Sequence, residues 1–90
     1  MIIQYDEGKN QKNIRKHGLS FETASIAFDD SNAVVIYDDS HSGSEERYNL
    51  IGTVGNHILF IVYTVRGEVI RMISARSATK REIERYNVKN

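Results

Sequence analysis

The 90-residue chain contains no cysteine. That excludes a disulfide framework, a thiolate nucleophile and a cysteine-type zinc site. Proline is missing too, and the chain shows no repeat and no low-complexity segment. No apolar stretch approaches the roughly 20 residues of a membrane span. The opening MIIQYDEG lacks the basic start and apolar run of a signal peptide. A soluble, cytoplasmic protein without membrane contact is expected. Metal-ligand spacing, a phosphate-binding glycine loop and a nucleophile elbow are absent from the sequence as well. Neither a metal nor a cofactor is therefore expected.

Net charge is also lacking, with 12 basic and 12 acidic residues, but the balance hides an asymmetry. Residues 1–46 hold nine acids against four bases, a net of −5, and residues 47–90 hold eight bases against three acids, a net of +5. Such halves either pair with each other on folding or leave the basic half for an anionic partner. Ninety residues with 40% apolar content form one small domain, expected to span 1–90. A core that small leaves little stability in reserve, which makes a partner or a dimer unsurprising.

The pattern predicts an α+β fold with two N-terminal helices and a C-terminal helix on a mostly antiparallel sheet of about four strands. Residues 2–5 form a further short strand candidate. KNQKNIRKHG reads as a helix closed by Gly18, with cations near its negative end. Asn10, Ile14 and His17 then share a face. Ser20 caps a second helix, FETASIAF, with Phe21, Ala24 and Phe28 as its core stripe. From Ala33 the period changes. AVVIY, RYNLIGTV, HILFIVYTV and EVIRMISAR are the four strand candidates, the last three joined by tight turns into a meander. HILFIVYTV is apolar on both faces and is expected at the centre. TKREIERY opens with a Thr79–Glu82 capping box and reads as the last helix.

Three histidines are available: His17 at a helix end, His41 in the polar loop DDSHSGSEE, and His57 after a turn, expected to face solvent. The arginines carry more information. Simple alternation along the last strand places Arg66, Ile70, Met72, Ser74 and Arg76 on one face, and Arg71 opposite them among Val69, Ile73 and Ala75. Arg71 is then either an ion-pair partner under the sheet or an anion ligand. Arg76 ends the strand just before a helix whose N-terminal amides also favour anions. With Lys80 and Arg81 it makes a phosphate site; the alternative is a solvated basic helix carrying Lys80, Arg81 and Arg85.

RKHGLSFETA at 15–24, DDSHSGSEERYNLIG at 38–52 and RMISARSATKREIERY at 71–86 resemble the BrnT family of type II toxins. The three segments occur in order and cover nearly the whole chain. The resemblance implies a RelE-like fold and a ribonuclease activity that blocks translation. It also implies a cognate antitoxin, BrnA-like, with a ribbon-helix-helix domain that alone brings the pair to operator DNA. Metal-free RNA cleavage uses the substrate's own 2′-hydroxyl as nucleophile. It needs cations against the developing phosphorane charge, and usually a base and an acid. Arg76 and Arg71 are the arginines expected to supply the first. His17, Glu46, Lys16 or Tyr86 can supply the others, although Tyr86 can equally pack Ile83 against the sheet. Lys16, Arg47, Arg66, Lys80, Arg81 and Arg85 are the expected RNA contacts. A non-catalytic nucleic-acid-binding module and a protein-binding domain remain as rivals.

Overall fold

The computed structural model describes residues 2–89 and runs β1 (Ile2–Gln4), α1 (Glu7–His17), α2 (Phe21–Ala24), β2 (Val34–Tyr37), β3 (Glu46–Val54), β4 (His57–Arg66), β5 (Val69–Ser77) and α3 (Lys80–Lys89). Local chemistry sets the helix ends. The Asp6 carboxylate accepts from the Lys9 amide at 2.9 Å, so α1 starts at Glu7 rather than at Lys9. Gly18 closes it at φ 68°, donating its N–H to the Ile14 carbonyl. Ser20 caps α2, accepting from the Thr23 amide. The expected second helix is α-helical only to Ala24, and Ser25–Asp29 winds on as a 3-10 helix. Ser25 Oγ donates to the Glu22 carbonyl there, a side-chain bond of the kind that competes with the α-helical ladder.

One sheet has the order β1-β5-β4-β3-β2. The expectation of about four strands is corrected to five. Residues 2–4 pair in parallel with Val69–Arg71, while every other pairing is antiparallel. A strand of three residues is too short for periodicity to establish, and its partner lies far along the chain. β4 is central, as its two-faced apolar run implied. On one face α1 and α2 cover the main core, built around Phe21, Leu50, Ile61 and Met72. On the other, α3 crosses one end of the sheet and closes Tyr86 over Val34, Ile51 and Phe60.

A one-residue slip separates the two halves of the β4–β5 ladder. Tyr63 pairs with Met72 but Val62 pairs with Ser74, so Ile73 is the extra residue of a bulge. Alternation reverses at that point. Ile70, Met72 and Ala75 all join the main core, and Arg71 and Arg76 share the opposite face. The expected division, with Met72 and Arg76 together and Arg71 against them, is thereby corrected. Arg71 is exposed, not seated among apolar side chains.

Gly52 marks a close approach between β3 and the 3-10 helix. A Cβ there would lie 2.9 Å from Leu50 Cδ2 and 3.2 Å from the Ala27 carbonyl oxygen. Leu50 can swing away, but the carbonyl is backbone. Gly52→Val is therefore expected to lower unfolding free energy by about 1–3 kcal/mol through overpacking. Urea unfolding checks it, and an unchanged midpoint would show that the 3-10 helix yields freely.

Candidate functional site

Helix α3 covers only the Phe60 end of its face, which leaves a band of sheet without a helix over it. Cross-strand partners share a face, so the register lists the band's contents. One row reads Gln4, Arg71, Thr64 and Arg47 from β1 to β3, and the next reads Ser74, Val62, Asn49 and Ile36. Arg66 lies beyond Thr64 on the same face. Two strand spacings separate Arg47 from Arg71, or about 10 Å.

Both margins of the band are basic. On the β5 side, Lys9, Lys12, Lys16 and His17 of α1 line a cleft of about 300 Å³ with Ile73 and Ser74. At the other end, Arg81 and Arg85 of α3 line a second cleft of about 300 Å³ over Ile36, Ile51 and Phe60. Seven of the expected residues thus surround one surface: Arg71, Arg66, Arg47, Lys16, His17 and the Arg81/Arg85 pair on its rim. Lys80 is exposed at the start of α3 and lines neither cleft.

The arginines differ in what holds them. Arg76 donates to both Glu82 oxygens, at 2.8 and 3.0 Å, and lies 4.3 Å over the Phe60 ring. Burial pushes the Glu82 carboxyl up, but the Arg76 and Thr79 bonds outweigh it and hold the group below its ordinary value. The chain's own carboxylate occupies the anion position that Arg76 offers. Arg66 pairs with Glu45 while staying 79% exposed. Arg47 Nε is buried without a hydrogen-bond partner, 3.9 Å from Asp38 Oδ2. Arg71 has no ion pair or hydrogen bond of its side chain among the described residues.

The acid and base candidates separate as clearly. Glu46 is on β3 one residue from Arg47, hence on the helical side of the sheet, where Tyr48 donates to it at 2.6 Å. That bond, with burial, raises the Tyr48 phenol. Beneath it Tyr48 stacks on Tyr63, whose phenol burial pushes up to about 12. Tyr86 donates its hydroxyl to Asp30 at 2.7 Å, which raises the phenol and ties α3 to the loop before β2. His17 and Lys16 stand on the band's margin. His57 is exposed, as expected. Sequence reasoning missed Asp38, whose carboxylate stands between His41 and Arg47. Its signal was the DDSH stretch, since an aspartate there readily bonds the backbone that follows it.

Fold and site together define a small α+β domain with a cation-rimmed, polar sheet face suited to an extended anion. The chain belongs to the BrnT family: the family model "Ribonuclease toxin, BrnT, of type II toxin-antitoxin system" matches residues 5–82. The family is thus one of ribonuclease toxins, and a type II toxin implies a cognate antitoxin. No curated protein sequence matches the chain closely enough to count as a relative. No helix among the described residues is long and apolar enough to cross a membrane.

Proposed function

We propose that residues 1–90 act as one RelE-like toxin domain, a metal-independent endoribonuclease that halts translation by cutting RNA laid across the open band. The substrate's 2′-hydroxyl attacks phosphorus, and Arg71 holds the non-bridging oxygens. The observation that carries this is the state of Arg71. Its guanidinium is uncompensated, and its backbone is fixed between β1 and β4. A donor set in place before the reaction stabilises developing charge better than one that must reorganise. Arginine's planar fork also suits two phosphate oxygens at once. Arg47 approaches the same phosphate from the other end of the row, Arg66, Lys16, Arg81 and Arg85 track the flanking backbone, and Arg76 supports the end of the band through its grip on α3.

The antitoxin, BrnA-like with a ribbon-helix-helix domain, neutralises the toxin by covering the same cations with acids and apolar anchors. Operator DNA is reached only through it. Cleavage of a defined RNA in EDTA by purified protein tests the reading. Arg71→Ala is expected to lose about 10²–10³ in rate. Arg85→Ala should instead weaken binding and reduce its salt dependence. Folded wild-type protein that binds RNA without cutting it would make the domain a binding module. Equal, mild losses in both variants would remove Arg71 from the chemistry.

A further inference from the structure

Among the described residues, His41 is the one histidine with a ring nitrogen held by a carboxylate. Its Nδ1 lies 3.0 Å from Asp38 Oδ2 and 3.1 Å from Oδ1. The carboxylate is itself held in place. It accepts from Ser40 Oγ at 3.0 Å and from the His41 amide at 3.2 Å. Ser42 Oγ donates to the Asp38 carbonyl and accepts from the Arg47 amide, while the Asp38 amide donates to the Arg47 carbonyl. The loop therefore closes on the first residues of β3. Asp38 is 14% exposed and His41 64%, so the acid is covered and the imidazole projects.

The tautomer of the neutral ring follows from the partner. An ionised carboxylate only accepts, so Nδ1 carries a hydrogen, and in the neutral ring Nε2 is left as the acceptor. Burial pushes the Asp38 carboxyl up, but the His41 and Ser40 bonds outweigh it and keep it in the ionised form. Arg47 reaches the same oxygen from the sheet side at 3.9 Å. His41 and Arg47 thus flank one carboxylate, with their nitrogens no farther apart than those two legs together. Arg47 in turn begins the row that leads through Thr64 to Arg71. A free imidazole nitrogen beside a phosphate-seeking row is where a ribose hydroxyl would sit when its phosphate lies on the arginines.

We propose that His41 is the catalytic base of this ribonuclease and that Asp38 is its positioning residue. The proposal rests on the ribonuclease reading above and adds to it the group that moves the proton. His41 Nε2 takes the proton from the 2′-hydroxyl as the O2′–P bond forms. The P–O5′ bond breaks, and O5′ takes a proton from water. The products are a 2′,3′-cyclic phosphate end and a 5′-hydroxyl end. The imidazolium, stabilised by Asp38, returns its proton to solvent.

Two substrates separate the roles: a defined RNA, and the same RNA with sulfur in place of the scissile O5′. A sulfur leaving group needs no acid, so it restores variants that have lost one. His41→Ala and His41→Gln should both lose about 10²–10⁴ in kcat on either substrate. Each should show the circular dichroism and melting of the parent. Asp38→Asn should lower kcat while leaving KM, and Asp38→Glu should recover part of the loss, which a mere loop support would not do. Wild-type protein that cuts neither RNA overturns both the ribonuclease reading and this assignment. Active wild type with near-normal His41→Gln overturns this assignment alone. Recovery of the His41 variants on the sulfur substrate overturns it too, since His41 would then be the acid.

Discussion

Asn13→Ala is expected to remove about 2–5 kcal/mol of stability, because one side chain completes the edge of the sheet. β1 pairs with β5 only as far as Arg71, so the outer edge of β5 beyond it has no strand beside it. Asn13, buried on α1, fills that place. Its amide nitrogen donates to the Ala75 carbonyl at 2.8 Å, and its oxygen accepts from the Ala75 amide at 3.1 Å. The same nitrogen donates to the Leu19 carbonyl at 2.8 Å, fixing the turn into α2. Truncation leaves both Ala75 groups without partners in a buried site, at about 1–3 kcal/mol each. Water entering from the strand edge recovers part of this. Thermal unfolding should show a melting point lower by roughly 10–25 °C for a domain of this size. Asn13→Asp should do no better, since a carboxylate would face the Ala75 carbonyl without a donor. A change in Asn13→Ala under about 1 kcal/mol would mean that water replaces the amide fully.

Asn13 also shows where the sequence stops being legible. Its neighbours Gly18 and Ser20 act locally and are legible as caps, because their partners lie within one turn. The Thr79–Glu82 box was legible for the same reason, and both of its bonds form. Nothing local shows that Glu82 also binds Arg76, or that Asn13 reaches Ala75 across the domain. The bulge at Ile73 had the largest consequence. A single extra residue in one strand leaves no mark in the alternation, yet it turned Arg71 out to solvent and set Arg76 on the same face. The basic character of the region was plain from composition, whereas the choice between its arginines depends on which acids fold against them. For that reason, of the two strand arginines, Arg76 is compensated and Arg71 has no acid against it among the described residues.

Acid should loosen α3 first, through the carboxylates that hold it. Asp30 Oδ2 accepts from the Tyr86 hydroxyl at 2.7 Å, the Thr53 amide at 2.9 Å and Thr53 Oγ1 at 3.0 Å. Its other oxygen accepts from the Asn32 amide at 2.9 Å. Burial pushes the carboxyl up, but the Tyr86, Asn32 and Thr53 bonds together hold it below its ordinary 3.8. Glu82, gripping Arg76 at the other end of α3, lies below its ordinary 4.5 in the same way. A group whose folded pKa is depressed stabilises the fold above its unfolded value and loses that contribution as pH falls through the folded one. Stability should therefore hold from neutral pH to the ordinary carboxylate range and decline below it. At neutral pH, Asp30→Ala should cost about 3–5 kcal/mol, because it leaves the Thr53 amide unsatisfied and breaks the bond to Tyr86. Tyr86→Phe, which leaves the carboxylate its other donors, should cost about 1.5–3 kcal/mol, the range for a bond to a charged group. Urea unfolding between neutral pH and acid would show the decline, and Asp30→Asn should make it shallower. An equally steep acid decline in Asp30→Asn, with Tyr86→Phe as stable as the parent, would mean that α3 is held by its apolar contacts with Val34, Ile51 and Phe60 alone.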